Sequence, residues 1–259
     1  MVKIFFNNTL VEFFCYEEKI NKYINLLYGK FYKKKFIFLK NKVSLYVIVD
    51  NCYYLKTKNS LVFKTNSIYE ICNYVDFYIQ QIFINSDSDF AIHCACIKYK
   101  KSFYLFIGAG GSGKSTIVSH CLEEFNNCIF LSDETLLVKQ KRIISFPRSI
   151  LVKKSNDKLT ENNLLFDFDR RAYLIPKIIL HRAIINSNKI QLFFLDFNDT
   201  IFSIETISQI KAMDLLRKNL LWYNKNTPKN ILNSLINITE GENYFIRYKT
   251  WEQVLDFIK

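Results

Sequence analysis

The stretch Tyr104–His120, YLFIGAGGSGKSTIVSH, constrains the fold more than any other part of the chain. An apolar run enters a loop containing Gly108, Gly110, Gly111, Ser112 and Gly113, and a helix-like pattern leaves it through Lys114, Ser115 and Thr116. A strand, a tight loop and a helix must follow one another here, so the chain needs a sheet whose strand ends feed helices. Gly108, Gly113, Lys114 and Ser115 fit GxxxxGK[ST]. The glycines let successive backbone N–H groups turn inward as a nest for an anion, and the helix start adds its positive dipole end. In such a loop Lys114 reaches the β and γ phosphates of ATP, the Ser115 hydroxyl ligates Mg²⁺, and Thr116 completes the small polar pair.

Composition narrows the class. Of 259 residues, 49% are hydrophobic, 16% aromatic and only 23% charged, which describes a globular protein with few disordered segments. The net charge of +12 points to an anionic partner only weakly, because the lysines are scattered. They form no stripe interleaved with aromatics, so nucleic acid is not expected as a partner. The one dense cluster, GKFYKKKF from Gly29 to Phe36, reads as an exposed turn ahead of a binding surface. Seven cysteines sit mostly inside apolar runs, as core residues of a reducing compartment do, and no CxxC pair or zinc spacing occurs. No run approaches the roughly 20 apolar residues of a membrane span. The expectation is a soluble, cytoplasmic protein with no membrane partner.

The chain is expected to divide at the polar NSDSD, Asn85–Asp89, into a β-rich extension with two helices over 1–86 and a catalytic domain over 87–259. In the first part KIFF, LVEFFCY, KFIFL, VSLYVIV and SLVFK read as strands. One helix places Ile20, Tyr23, Ile24 and Leu27 on one face and stops at Gly29. A second, Ser67–Phe83, opens on Ser67 with Glu70 completing a capping box. In the second part FAIHCACIKYK and SFYLFIG form two strands turning at Lys100 and Lys101. A helix follows over Ser115–Phe125, then a strand to a polar tip in NCIFLSDETLLV. Further strands are expected at Arg142–Phe146, Ser149–Val152, Lys177–Ile185, Ile190–Phe197 and Tyr244–Tyr248, with helices at Thr206–Tyr223, Pro228–Ile238 and the end of the chain.

A phosphate loop alone does not separate motors, switches and kinases, so the acids near it must. FLSDE, Phe130–Glu134, is a short strand expected to run parallel to the loop's own strand, delivering Asp133 and Glu134 at its carboxyl end, where open α/β sheets bind ligands. One carboxylate would hold Mg²⁺ and the other accept a proton from an attacking hydroxyl. His93, inside the apolar FAIHCACI, would orient or charge-balance an acid near the γ phosphate; taken alone it reads first as a satisfied core histidine.

Together, the His93 strand, the glycine loop, one helix and the strand ending in Ser132, Asp133 and Glu134 resemble the catalytic domain of HPr kinase/phosphorylase over about Phe90–Val138. That family shares its nucleotide fold with phosphoenolpyruvate carboxykinase and includes shorter relatives that phosphorylate serine in precursor peptides of ribosomal natural products. FPRSILVKK and DRRAYLIPKIIL resemble basic and apolar stretches of those relatives. The resemblance implies an α/β fold of α+β character, built on a P-loop core of this type with a β-rich N-terminal extension. It also implies catalytic roles for His93, Lys114, Asp133 and Glu134, and metal binding by Ser115, Asp133 and Glu134. Two departures stand out: the family's acidic pair is usually Asp-Asp, and the glycine-bearing signature that follows in HPr kinases is absent around Arg170 and Arg171. Which acid is the base stays open, and HPr itself is a poor fit as substrate.

The expected activity is transfer of the γ phosphate of ATP to a serine hydroxyl of a peptide or small protein, with the acceptor held by the N-terminal strands and the basic segments after Phe146. Arg148, Lys153, Arg170 and Arg171 are candidates for contacting phosphate or an acidic acceptor. A kinase of free serine, which needs a closed pocket, and a nucleotide-dependent sensor without a transfer step remain alternatives. An oligomer is left open.

Overall fold

The computed structural model describes residues 1–6, 8–29, 39–139, 142–146, 148–153, 165–166, 171–174, 182–184, 190–198, 200–223 and 228–259. The chain forms two compact units. One holds Met1–Asp87 with Pro147–Ser149 and Lys154–Tyr173; the other holds Ser88–Phe146, Ile150–Lys153 and Leu174–Lys259.

In the first unit, β1 (Val2–Phe6), β2 (Thr9–Cys15), β3 (Asn41–Val49), β4 (Tyr53–Thr57) and β5 (Leu61–Thr65) form one sheet in chain order. Every pair is antiparallel except β2 and β3. A parallel pair needs a crossover, and it carries α1 (Glu18–Tyr28). Ile20, Tyr23, Ile24 and Leu27 are buried along α1, as their spacing predicts. Gly29 ends the helix in right-handed geometry, with φ −59°, so it does not act through the left-handed freedom of glycine. KFIFL up to Phe38, and nearly all of the lysine cluster, lie outside the described residues.

The second helix, α2 (Ile68–Asp87), runs four residues past the expected Phe83. Its polar tail finds partners instead of breaking the helix: the Ser86 hydroxyl donates to the Phe83 carbonyl at 3.2 Å and accepts from the Thr9 hydroxyl at 3.1 Å. At its start the Glu70 N–H reaches Ser67 Oγ at 3.3 Å, but the Glu70 carboxylate takes the Thr65 hydroxyl, so the capping box is half formed.

Arg148 belongs to this unit, and here the sequence expectation is corrected. Its guanidinium is buried and donates to Asp76 Oδ2 at 2.8 Å, while the Tyr28 hydroxyl donates to Asp76 Oδ1 at 2.5 Å. An arginine committed to a buried carboxylate is an internal strut, not a phosphate contact. Lys153 ends β12 (Ile150–Lys153) and Arg171 begins β14 (Arg171–Leu174), which pairs with β13 (Leu165–Phe166); Arg170 lies outside the described residues.

Among the described residues, two sheets lie wholly within the second unit. One has the order β17 (Ser203–Thr206), β19 (Glu242–Tyr248), β16 (Ile190–Phe197), β8 (Ser102–Ile107), β7 (Cys94–Tyr99), β9 (Ile129–Ser132). Its central strands β19, β16 and β8 are parallel, and the flanking strands run antiparallel to their neighbours. The other has the order β15 (Arg182–Ile184), β11 (Arg142–Ser145), β10 (Leu136–Lys139), β6 (Phe90–Ile92), β18 (Leu220–Tyr223) and is antiparallel throughout. Side chains alternate across a strand. One row of the first sheet, including Leu105, Leu192 and Phe194, joins Phe90, Ile92, Leu136 and Val138 of the second sheet. Leu216 of α4 (Gln209–Lys218) and Leu235 and Ile238 of α5 (Pro228–Thr239) complete that core. The opposite row, through Phe193, meets Phe257 of α6 (Trp251–Ile258).

Two expectations change. β9 runs in the same direction as β8, but β7 lies between them, antiparallel to both. The helix expected over Thr206–Tyr223 is only α4, capped by Ser208 accepting from the Lys211 N–H; after Asn219 the apolar LLWY pairs with β6 as β18. Of Lys177–Ile185 only β15 is described. All seven cysteine thiols are free and buried. Among the described residues no helix is long and apolar enough to cross a membrane.

Removing one partner of a buried ion pair leaves the other charge unsatisfied at a cost of about 3–5 kcal/mol. Arg148→Met is expected to lower the urea midpoint accordingly, and the double variant with Asp76→Leu to recover much of the loss.

Candidate functional site

Ile107 of β8 leads into the glycine loop, and α3 (Lys114–Glu124) begins directly after it. Glycine is required at two positions for different reasons. A Cβ on Gly108 would lie 2.6 Å from Ser112 Oγ and 2.7 Å from the Leu195 carbonyl oxygen, so the loop packs against the end of β16 with no room for a side chain. Gly113 has φ +79°, and a Cβ there would collide with the Tyr248 hydroxyl. That hydroxyl donates to the Ser112 carbonyl at 2.5 Å, so Tyr248, at the end of β19, holds the loop from the side. Around Gly110 and Gly111 the space is open.

Lys114 is buried, with Nζ 2.8 Å from the Gly108 carbonyl and 3.0 Å from that of Ala109. Burial pushes its pKa down from the ordinary lysine value, and the negative charges of Glu134 and Asp133 push back. Both acids therefore act electrostatically on the loop lysine. Thr116 stands half-buried in the first turn of α3.

The acids come from a chain reversal between the two sheets. β9 belongs to one sheet and β10 to the other, and only Asp133, Glu134 and Thr135 separate them. The Thr135 N–H donates to the Asp133 carbonyl at 2.8 Å around Glu134, whose φ is +68°. A hydrogen bond from residue i+2 back to i around a positive φ is the rare, strained γ-turn, and it costs about 1–3 kcal/mol for a residue other than glycine. The turn sends neighbouring carboxylates to different partners. Asp133, almost wholly buried, accepts from the Ser115 hydroxyl at 2.8 Å. Glu134 stands half-exposed, its Oε2 at 3.0 Å from His93 Nε2.

His93 does not lie within a strand, as its apolar surroundings suggest. It is the single residue between β6 of one sheet and β7 of the other, and its N–H donates to the Asn219 carbonyl at 2.8 Å just before β18. Register places the two sheet crossings together, since Leu136 faces Ile92 and Ser132 faces Cys96. The result is a continuous group: loop backbone, Lys114, Ser115, Asp133, Glu134, His93.

The oxygens of Ser115 and Asp133 are the hard donors a magnesium ion takes, and they already stand a hydrogen bond apart beside the loop, so this pair fits such an ion. Glu134 Oε2 is turned to His93 Nε2. Among the described residues no group of three or more His, Cys, Asp or Glu forms a metal cluster. Sequence reasoning missed Tyr248 and Leu195. A tyrosine ending a strand nearly 140 residues from the loop carries no local signal of that contact.

No protein-family model matches the sequence, and no curated protein matches it. Among solved structures the chain is similar to the Hpr(Ser) kinase/phosphatase from Coxiella burnetii, at 10% identity and a TM-score of 0.31, over 65% of this chain and 90% of that one. A likeness at that level carries no weight for the chemistry, which stands on residues of this chain.

The loop geometry sets an order of tolerance. Gly113→Ala is expected to destabilise by roughly 1–3 kcal/mol, from positive φ and the collision with Tyr248. Gly110→Ala, facing open space, is expected to leave the urea midpoint almost unchanged.

Proposed function

We propose that the protein is an HPr kinase-like phosphotransferase of the P-loop type, moving the γ phosphate of ATP to a serine hydroxyl of a peptide or small protein. The observation that carries this reading is the division of labour at the γ-turn: one carboxylate on the loop serine at 2.8 Å, the next on a histidine at 3.0 Å. A protein that only binds nucleotide needs the first arrangement and has no use for the second, which costs backbone strain.

The loop N–H groups and Lys114 bind the β and γ phosphates, and Ser115 and Asp133 would hold Mg²⁺, which screens phosphate charge. Of the two acids, Glu134 is the base: it is half-exposed, whereas Asp133 is buried against Ser115. The acceptor oxygen attacks the γ phosphorus, the bond to the β–γ bridging oxygen breaks and leaves with ADP, and the hydroxyl proton passes to the Glu134 carboxylate. His93 orients that carboxylate and, by donating a hydrogen bond, keeps it aimed at the acceptor. Removing a general base typically costs 10²–10⁴ in rate.

Glu134→Gln is therefore expected to bind ATP about as tightly as the parent and to lose turnover by roughly 10²–10⁴-fold. Phosphate transfer from labelled ATP to a serine-containing peptide library, read by mass spectrometry beside free serine, is the measurement. Transfer to free serine alone would replace the peptide acceptor with a small molecule. Nucleotide binding with no transfer to any hydroxyl would reduce the protein to a sensor.

A further inference from the structure

The carboxyl ends of β8, β16 and β19 lie side by side, and the loop occupies only the first of them. In a sheet of this kind a ligand extends across neighbouring strand ends. β9 and its acids lie on one side of β8, and β16 and β19 lie on the other. On a nucleotide whose γ phosphate faces the acids, the neighbouring strand ends left open on the other side of the loop are those of β16 and β19.

That side ends in exposed apolar side chains. Phe197, the last residue of β16, is 56% exposed, and Ile201 and Phe202 in the loop after it are 52% and 44% exposed. The Phe197 ring packs edge-on against Tyr248, with centroids 5.6 Å apart, and Tyr248 is the residue whose hydroxyl holds the Ser112 carbonyl. Phe197 thus lies on the α3 side of the sheet, one ring away from the phosphate loop. The loop after it crosses the end of β19 to reach β17, and it is fastened there. The Asn198 N–H donates to the Tyr248 carbonyl at 2.8 Å, and Asn198 Oδ1 accepts from the N–H groups of Thr200 and Ile201 at 2.9 and 3.1 Å. Apolar side chains presented to solvent beside a charged cradle are costly for a free surface and useful for a flat aromatic ligand.

We infer that Phe197, with Ile201 and Phe202 beside it in the same turn, is the platform on which the nucleobase of the bound nucleotide stacks. The inference rests on the nucleotide reading of the glycine loop and adds the place and chemistry of the base. Phe197 sets affinity for the base and not for the phosphates, because the phosphate contacts come from the loop backbone and Lys114. Tyr248 links the two parts, holding the loop with its hydroxyl and packing its ring against Phe197.

The test compares ATP with inorganic tripolyphosphate, which has the phosphate chain and no base, by calorimetric titration of the parent, Phe197→Ala and Phe197→Tyr. Loss of one base-stacking ring is expected to weaken ATP about tenfold. Tripolyphosphate should bind the parent and Phe197→Ala alike, and Phe197→Tyr should restore ATP affinity. Thermal melts of each variant check the fold, which an exposed position should leave intact. If ATP and tripolyphosphate bind the parent but Phe197→Ala weakens neither, the platform is refuted and the phosphate loop stands. If neither ligand binds the parent, the loop reading fails and the platform with it. If Phe197→Ala leaves ATP binding unchanged and instead dissolves a dimer in sedimentation, the rings serve contact between copies and the inference is overturned.

Discussion

The site depends on the chain changing sheets twice in the same place. A strand that leaves one sheet for another must break its ladder for a residue or two, and at that break the backbone is free to aim side chains that neither sheet could direct. In this protein one break is His93, between β6 and β7, and the other is Asp133–Thr135, between β9 and β10. Pairing of β6 with β10 and of β7 with β9 holds the breaks side by side. The hydrogen bond between His93 and Glu134 is thus a consequence of sheet register, and shifting either pairing by one residue would turn both side chains to the wrong faces.

The glycine loop is fixed by a different means. Parallel strands end together, so residues closing β16 and β19 stand beside the exit of β8. Gly108 approaches the Leu195 carbonyl, and Gly113 leaves room for the Tyr248 hydroxyl. The loop's shape is therefore imposed by its neighbours as well as by its own glycines. Burial of Lys114 follows from the same packing, and its depressed pKa records the cost of a charge kept partly out of water, offset by the two carboxylates across the loop.

Much of this was legible in the chain's local patterns. The strand, loop and helix from Ser102 to Glu124 carry their own signals, as do the bounds of β16 and the buried face of α1, because periodicity and glycine placement act over a few residues. The nearness of His93, the loop and the acids could be read only as chain order, since strand adjacency makes neighbours in sequence neighbours in space. What escaped reading is long-range. Nothing near Arg148 announces Asp76, 72 residues away, and nothing in LLWY distinguishes the end of a helix from a strand until β6 offers it an edge. Tyr248 was hidden because its role lies in a close approach to the loop backbone, and at Glu134, named from the sequence, the positive φ was hidden likewise, since a residue's type records neither.

The γ-turn at Glu134 carries a further implication about what this position tolerates. Glycine would relax the backbone there at no steric expense, so by conformational preference alone it is the natural occupant. A long acidic side chain in its place means that the folded chain is held slightly above its most comfortable state at the very spot where it meets solvent. Such a residue marks where a protein has traded ease of folding for a group it needs, and its discomfort is legible without knowing what the group acts on.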